Sequence, residues 1–454
     1  MINRRGLSLG LGGFALGGAT SVIAAEQSKP GSAQNFITVD GQRFIREGKP
    51  YYFVGANLWY AAYAACPDPK IGNPGRLEKE LDTLASLGVN NVRILASSEL
   101  SPLKNSLNPA IQNPDGSLNE VLLQGLDHSL NLLAQRKMVA VLYLTNFWEW
   151  SGGMGTYEAW TNGGKFVEMN DPAHPWPAFP DYVSQFYLNK KALALYEAYV
   201  RSLVGRINTV TGKAYVDDPT IMAWQLCNEP RPGGTKAVID QRMPAYIEWI
   251  NRSARLIKTL DPHHLVCVGH EGPIGCTDNL AETFNVGYAQ LAQASADIDY
   301  TTAHIWPQNW SWSNVKDLAG TFPNVETRTK AYIRDSVGIA NRLGKPLVIE
   351  EFGFPRDAGS FDAGTPTTWR DRFYDLIGAA LLESHARKGE IAGLNFWAWG
   401  GQARALHDDK RMRPGETAYL GDPPHEPQGW YSVFDNDTST LAKIKTLSYQ
   451  VSKL

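Results

Sequence analysis

Apolar runs of strand length recur along the chain, with helical patterns between them. They fall at residues 52–57, 91–96, 138–145, 221–226, 265–269, 300–304, 346–351 and 392–397. Most are continuous runs instead of strict alternations, the pattern expected of parallel strands covered by helices. Between the first two, Leu77, Leu81, Leu84 and Leu87 recur at spacings of four and three before Gly88; between the last two, Phe373, Leu376, Ile377, Ala380 and Leu381 form a second stripe. Strand-then-helix alternation implies right-handed βαβ crossovers, and eight repeats predict closure into an α/β fold, a single (β/α)8 TIM barrel. A doubly wound open sheet is the alternative, but no Gly-x-Gly-x-x-Gly opens the first βα turn.

Two connections break the regular spacing. Residues 146–188, after the third strand, are dense in Trp, Gly, Pro and Asn; residues 400–429, after the eighth, carry Asp408-Asp409-Lys410-Arg411 and the turn Gly421-Asp422-Pro423-Pro424. In a barrel both sit on the C-terminal face, where active sites are built. Upstream, Asn3-Arg4-Arg5-Gly6 opens a basic stretch followed by an uncharged, glycine-diluted apolar segment ending near Ala25. This reads as an export signal over residues 1–25, with the paired arginines pointing to the bacterial twin-arginine route and a periplasmic or extracellular destination. Five glycines make a membrane anchor the weaker reading of that segment. Residues 26–454 are then one catalytic-size domain with no further membrane span.

Composition adds three constraints. With 43 Lys+Arg against 46 Asp+Glu the net charge is −3, which excludes nucleic acid as the main partner. The 14 Trp, 19 Tyr and 16 Phe exceed the ordinary needs of a core and suggest a stacking surface for a ring-shaped ligand. Cys66, Cys227, Cys267 and Cys276 allow three disulfide pairings in an exported protein, and neither Cys-x-x-Cys nor His-Glu-x-x-His appears, so no zinc site is expected.

The chemistry lies at strand ends. The fourth strand ends Trp224-Gln225-Leu226-Cys227-Asn228-Glu229-Pro230-Arg231, and the seventh ends Leu347-Val348-Ile349-Glu350-Glu351-Phe352-Gly353. Two carboxylates facing each other across a barrel mouth suit glycoside hydrolysis, one as acid at the leaving oxygen and one as nucleophile at the anomeric carbon. Because successive strand residues point to opposite faces, only one of Glu350 and Glu351 is expected at the mouth, the other turning to the helix layer or a salt bridge.

These segments resemble family 5 glycoside hydrolases of clan A. Asn228-Glu229-Pro230 resembles the family's acid/base motif and Glu351-Phe352-Gly353 its nucleophile motif. Val54-Gly55-Ala56-Asn57-Leu58-Trp59, Asn91-Val92-Arg93, Leu144-Thr145-Asn146-Phe147-Trp148 with Gly152-Gly153, His304-Ile305-Trp306-Pro307 and Asn395-Phe396-Trp397 resemble, in order, further strand ends of its mannan-degrading branch. The resemblance implies a retaining β-1,4-mannan hydrolase needing no cofactor or metal, with Glu229 as acid/base and Glu351 as nucleophile. It also implies substrate-binding roles for Arg93, Asn146, Asn228, His304 and Trp306. Trp306 departs from the pattern, which more often has Tyr there; an indole N–H donates but does not titrate. Trp148 and Trp397 are the expected sugar-stacking residues, with Trp59 and Trp310 as further candidates. Each role has a bland counterpart: Arg93 as a buried counter-charge, Asn228 as a turn amide, and Glu271 either a hydroxyl-binding or a surface acid. Action in mid-chain, as in mannan endo-1,4-β-mannosidases, and exo action at a chain end both stand, because the 400–429 insertion is placed to wall off one end of a cleft. A cellulase-like or xylanase member, or a non-catalytic carbohydrate-binding barrel, completes the alternatives.

Overall fold

The eight apolar runs form eight parallel strands, β1 (Phe53–Asn57), β2 (Asn91–Leu95), β3 (Val139–Tyr143), β4 (Ile221–Gln225), β5 (Leu265–Cys267), β6 (Thr301–Ile305), β7 (Leu347–Phe352) and β8 (Ile391–Phe396). Every residue in them is buried, because side chains on one face fill the barrel and those on the other meet helices. The computed structural model describes residues 35–169, 171–278 and 285–454; the expected export signal lies outside them. Strand order is β5-β4-β3-β2-β1-β8-β7-β6. The seam between β5 and β6 is bridged by main-chain bonds from Asp299 N to Val266 O and from His304 N to Glu271 O, each 2.8 Å, which complete a (β/α)8 barrel.

Helices cover the outside as the stripes predict. Pro74–Ser86 starts with Pro at its first position and an Asn73 side chain accepting from Arg76 N, and buries Leu77, Leu81 and Leu84. Thr368–Ala386 buries Phe373, Ile377 and Leu381. A three-stranded antiparallel sheet, Thr38–Asp40, Arg43–Arg46 and Lys49–Tyr51, lies at the barrel's N-terminal end, with Phe44 packed against Phe53 and Tyr300 at 6.2 and 5.3 Å between ring centroids. Among the described residues no helix is long and apolar enough to cross a membrane.

The opposite end carries the two long loops. Residues 146–188 include the short helices Gly153–Thr161 and Ala178–Val183. After β8, Trp399–Gly401 pairs with Val433–Phe434, so the intervening loop leaves and returns at one place. Buried Asp422 accepts from the backbone N–H of Gly429 (2.7 Å) and Tyr431 (2.6 Å), while buried Arg370 donates to Trp430 O and Ser432 O at 3.2 and 3.0 Å. Satisfied charges of this kind hold irregular backbone in a fixed shape.

Two expectations are corrected here. The four cysteines are buried and free, so none of the three disulfide pairings is formed. In β7 the register against β6 shifts between Ile349 and Glu351, a bulge that breaks simple alternation. Glu350 therefore does not turn to the helix layer: it is buried among Gln225, Arg93 and His304, which leaves only the salt-bridge half of its expectation standing.

Candidate active site

Residue 229 sits where β4 gives way to its loop. Asn228 N donates to Thr145 O and Glu229 N to Gly269 O, both at 2.9 Å, so main-chain bonds to the neighbouring strand ends tie the segment on each side. Glu229 has φ 52°, a left-handed conformation that costs a non-glycine residue roughly 1 kcal/mol and is met mainly where a side chain must be aimed. Glu351 approaches from β7. Together with His304, the two glutamates present one ligand atom each, all within 4.8 Å of one another, and all three residues are buried.

Arg93 forms the floor. Its guanidinium donates to Glu351 Oε1, to Gln225 Oε1 at 2.9 and 2.7 Å, to Asn228 Oδ1 at 2.7 Å and to Asn57 Oδ1 at 3.0 Å, and it lies 3.7 Å from Glu350. His304 Nδ1 is 2.6 Å from Glu229 Oε1 and 3.3 Å from Glu351 Oε2, with Nε2 3.4 Å from Glu350. Burial alone would lower His304, but the charge of Glu351 and the contacts with Glu229 and Glu350 push it up to about 10, so it is a cation at neutral pH. Burial pushes Glu351 up to about 7 against the pull of His304 and Arg93. The lowering by Arg93 is thus present but outweighed by burial. At Glu229 burial is the largest single influence, yet His304, Arg231 and the Trp148 hydrogen bond together overcome it and hold the carboxyl below the usual range.

Above this floor opens a cavity of about 420 Å³. Glu229, Glu351, Asn228, Trp306, Trp310 and Trp397 line it. Trp397 stands edge-on to Trp306 at 5.9 Å, and its Nε1 is buried without a partner. Arg93, Asn146 and His304 do not line the cavity; they lie beneath, Asn146 accepting from Asn228 Nδ2 (3.0 Å) and Trp148 N (3.1 Å). Glu271 lines it too and is no surface acid: it is buried, and both its oxygens accept from Arg231 at 2.6 Å. Trp59 is corrected as a stacking residue. It is fully buried and donates to Gly421 O at 3.0 Å, anchoring the second loop from below.

The residues that sequence reasoning missed all sit in loops. Trp150 from the first long loop stacks on His425 from the second, 6.4 Å between centroids at 7°. His425 Nδ1 and Glu426 Oε2 are buried without partners, and both residues line the cavity. Burial lowers His425 to about 3, while burial and the nearby acids Asp422, Glu351 and Glu229 push Glu426 well above the carboxylate range. His425 is therefore a neutral imidazole near pH 7, able to donate and accept, which matches a hydroxyl better than an ion. The only signal for them was the 400–429 insertion itself, where the charged run Asp408 to Arg411 drew attention away from His425-Glu426. Gly152 and Gly153, at φ 94° and 66°, make the turn that delivers Trp148 and Trp150; a Cβ on Gly153 would meet Asn146 O at 2.3 Å.

A sequence model described as GH family 5 beta-mannosidase-like matches residues 34–454. The chain belongs to this family. It is accordingly a glycoside hydrolase. A family 5 mannosidase from Rhizomucor miehei is similar over 93% of this chain and 99% of its own, at 33% identity and TM-score 0.82. A variant of that mannosidase in complex with mannosyl-fructose matches at 32% identity and TM-score 0.83, over 93% and 98% of the two chains. A putative mannan endo-1,4-beta-mannosidase 4 of Arabidopsis thaliana is 29% identical over 377 residues, 80% of this chain and 83% of that protein.

Proposed function

We propose that this glycoside hydrolase cleaves β-1,4-mannosidic bonds with retention, acting at chain ends. Glu351 is the nucleophile and Glu229 the acid/base. Glu351 attacks the anomeric carbon while Glu229 gives its proton to the departing oxygen; the glycosyl ester on Glu351 is then cleaved by water, whose proton returns to Glu229. Oxygens no more than 4.8 Å apart support retention, since inversion requires carboxyl groups roughly 6.5–9.5 Å apart to seat a water between base and sugar. Glu229, Glu351 and His304 titrate as one coupled set, and the reactive form carries the pair's proton on Glu229 with Glu351 ionised. His304 touches both carboxylates through Nδ1. Once Glu351 is esterified its charge is gone, Glu229 ionises more readily, and it serves as base.

The observation carrying exo action is the Trp150–His425 stack, which joins the two long loops in the lining of the cavity and which we read as a wall closing one end. The partnerless polar atoms of His425, Glu426 and Trp397 fit the hydroxyls of a terminal sugar. A second reading, cleavage in mid-chain, draws on the mannan endo-1,4-beta-mannosidase names of the curated relatives, the Arabidopsis protein and a rice protein 29% identical over 427 residues. A time course on linear mannan and manno-oligosaccharides decides between them: mannose alone from the first minutes is expected, and a spread of oligosaccharides overturns exo action. Loss of all turnover in Glu229→Gln and Glu351→Gln is required by the mechanism. The basic, glycine-diluted stretch at residues 1–25 supports export as a further proposal, checked by sequencing the N-terminus of the protein recovered outside the cytoplasm.

A further inference from the structure

We infer that Trp148 is a positioning residue for the acid/base glutamate, not a surface on which sugar stacks. The inference rests on the proposed roles of Glu229 and Glu351. Trp148 is partly buried at the cavity wall, and its ring is already engaged by protein: the Arg231 guanidinium lies 5.0 Å above it, and Phe179 and Trp176 lie nearly parallel to it at 6.2 and 6.5 Å. What it presents to the reaction is its edge. Indole Nε1–H donates to Glu229 Oε2 at 2.5 Å, while His304 Nδ1 meets the other oxygen, Oε1, at 2.6 Å.

A carboxyl held at both oxygens cannot rotate about its terminal bond, so the lone pair or proton left over points in one direction. Holding that direction is what an acid needs to deliver a proton to a glycosidic oxygen at the correct angle. The hold on Trp148 is itself built. Arg231 is locked by two 2.6 Å bonds to Glu271, and Tyr332 Oη donates to Glu271 O at 2.6 Å. From the other side, Trp148 N donates to Asn146 Oδ1, and Gly153 N to Glu99 Oε2 at 2.7 Å. Glu271, Arg231, Trp148 and Glu229 thus form a chain of contacts ending on one carboxylate oxygen. The exposed ring at this place is Trp176, 46% accessible, which leaves the stacking role on this side of the cavity to it.

The test separates orientation of an acid from binding of a sugar. Trp148→Phe keeps an aromatic ring beneath Arg231 and removes the donor. Trp148→His restores one, because Cδ2 and Nε2 of an imidazole occupy the place of Cδ1 and Nε1 of an indole. Two substrates are compared by kcat/KM, which reports only the glycosylation step: mannobiose, whose leaving oxygen needs a proton, and 2,4-dinitrophenyl β-mannoside, whose leaving group does not.

Loss of one hydrogen bond to a charged group should lower kcat/KM for mannobiose about 10- to 100-fold in Trp148→Phe, with the dinitrophenyl substrate changed by less than about threefold. The alkaline limb of the mannobiose pH profile should also move up, since the ionised carboxylate loses a donor. In Trp148→His the ratio of the two substrates should return toward wild type. Equal losses on both substrates in Trp148→Phe, or a raised KM with an unmoved pH profile, would overturn the inference and restore a stacking role. Should Trp148→Phe not fold, Trp148→His still decides, since a loss there that falls equally on both substrates is the stacking outcome. A wild-type protein that cleaves neither substrate would instead sink the proposed function, and with it this inference.

Discussion

Arg93→Met tests the floor of the site, because it removes one buried charge and leaves most of the packing volume. Arg93 has no exposed surface, faces the carboxylates of Glu350 and Glu351, and donates as well to Gln225, Asn228 and Asn57. Removing it strands two acids in the barrel interior, and breaking a buried pair from one side costs about 3–5 kcal/mol. A domain of 150–250 residues changes Tm by roughly 2–4 °C per kcal/mol, and a longer chain by less, so a drop of roughly 5 °C is expected. Glu350→Gln removes one of the stranded charges. In the double variant the losses should therefore fall short of their sum by about 1–3 kcal/mol. Activity gives an independent readout. Arg93 favours the ionised form of Glu351, so its loss raises a pKa already near 7, and the acid limb of kcat/KM moves to higher pH. Thermal unfolding of the four proteins of the cycle, with pH profiles of wild type and Arg93→Met, supplies both numbers. Additive stabilities within about 0.5 kcal/mol together with an unmoved acid limb would refute the reading of Arg93 as the shared counter-charge.

Buried Glu149, whose Oε2 has no partner, is pushed up to about 8 by burial, with Glu168 adding to the shift. A folded-state value above the unfolded one contributes stability that is complete below about pH 4.5 and is lost as pH rises through about 8. Glu149→Gln should accordingly leave Tm little changed at pH 5 and raise stability at pH 9 by about 2–4 kcal/mol; an equal effect at both pH values would contradict the assignment. Gly153→Ala, at φ 66° with Asn146 O only 2.3 Å from the new Cβ, should cost about 1–3 kcal/mol in stability and reduce mannobiose cleavage by more than that loss explains, since the turn delivers Trp148. Thermal melts beside kcat/KM at a temperature where both proteins are folded check it.

The eight strands were legible because most are apolar on both faces, a signal that survives without tertiary context: the runs at 91–96 and 221–226 differ from Asn91–Leu95 and Ile221–Gln225 by one residue. Glu229 and the Glu350-Glu351 pair were legible as polar residues ending apolar runs, and Glu351 was chosen over Glu350 from the family resemblance. The β7 bulge was not. Nothing in Leu347-Val348-Ile349-Glu350-Glu351 marks a register shift, which is set by pairing with β6, so of the helix layer and the salt bridge read for Glu350 only the salt bridge, inside the barrel, stands. Tryptophans were misread where only contacts distinguish them. Trp59 and Trp397 both end apolar runs, yet one is sealed beneath Gly421 and the other borders the cavity. His425 and Glu426 lie in a loop with no periodicity, where position depends on Asp422 and Arg370 holding the backbone.

The Trp150–His425 stack joins two insertions far apart in the chain, and Trp150 also packs on Trp59, itself bonded to Gly421 of the second insertion. Trimming the loop after β3 alone leaves His425 and Glu426 without their abutment; trimming the loop after β8 alone leaves Trp150 facing solvent. If the proposed exo action holds, a gradual passage from a blind pocket to an open groove is therefore blocked at its first step in either direction. Relatives on the two sides of that divide should gain or lose the two loops together, and a designer seeking to lengthen the products must cut both in one move.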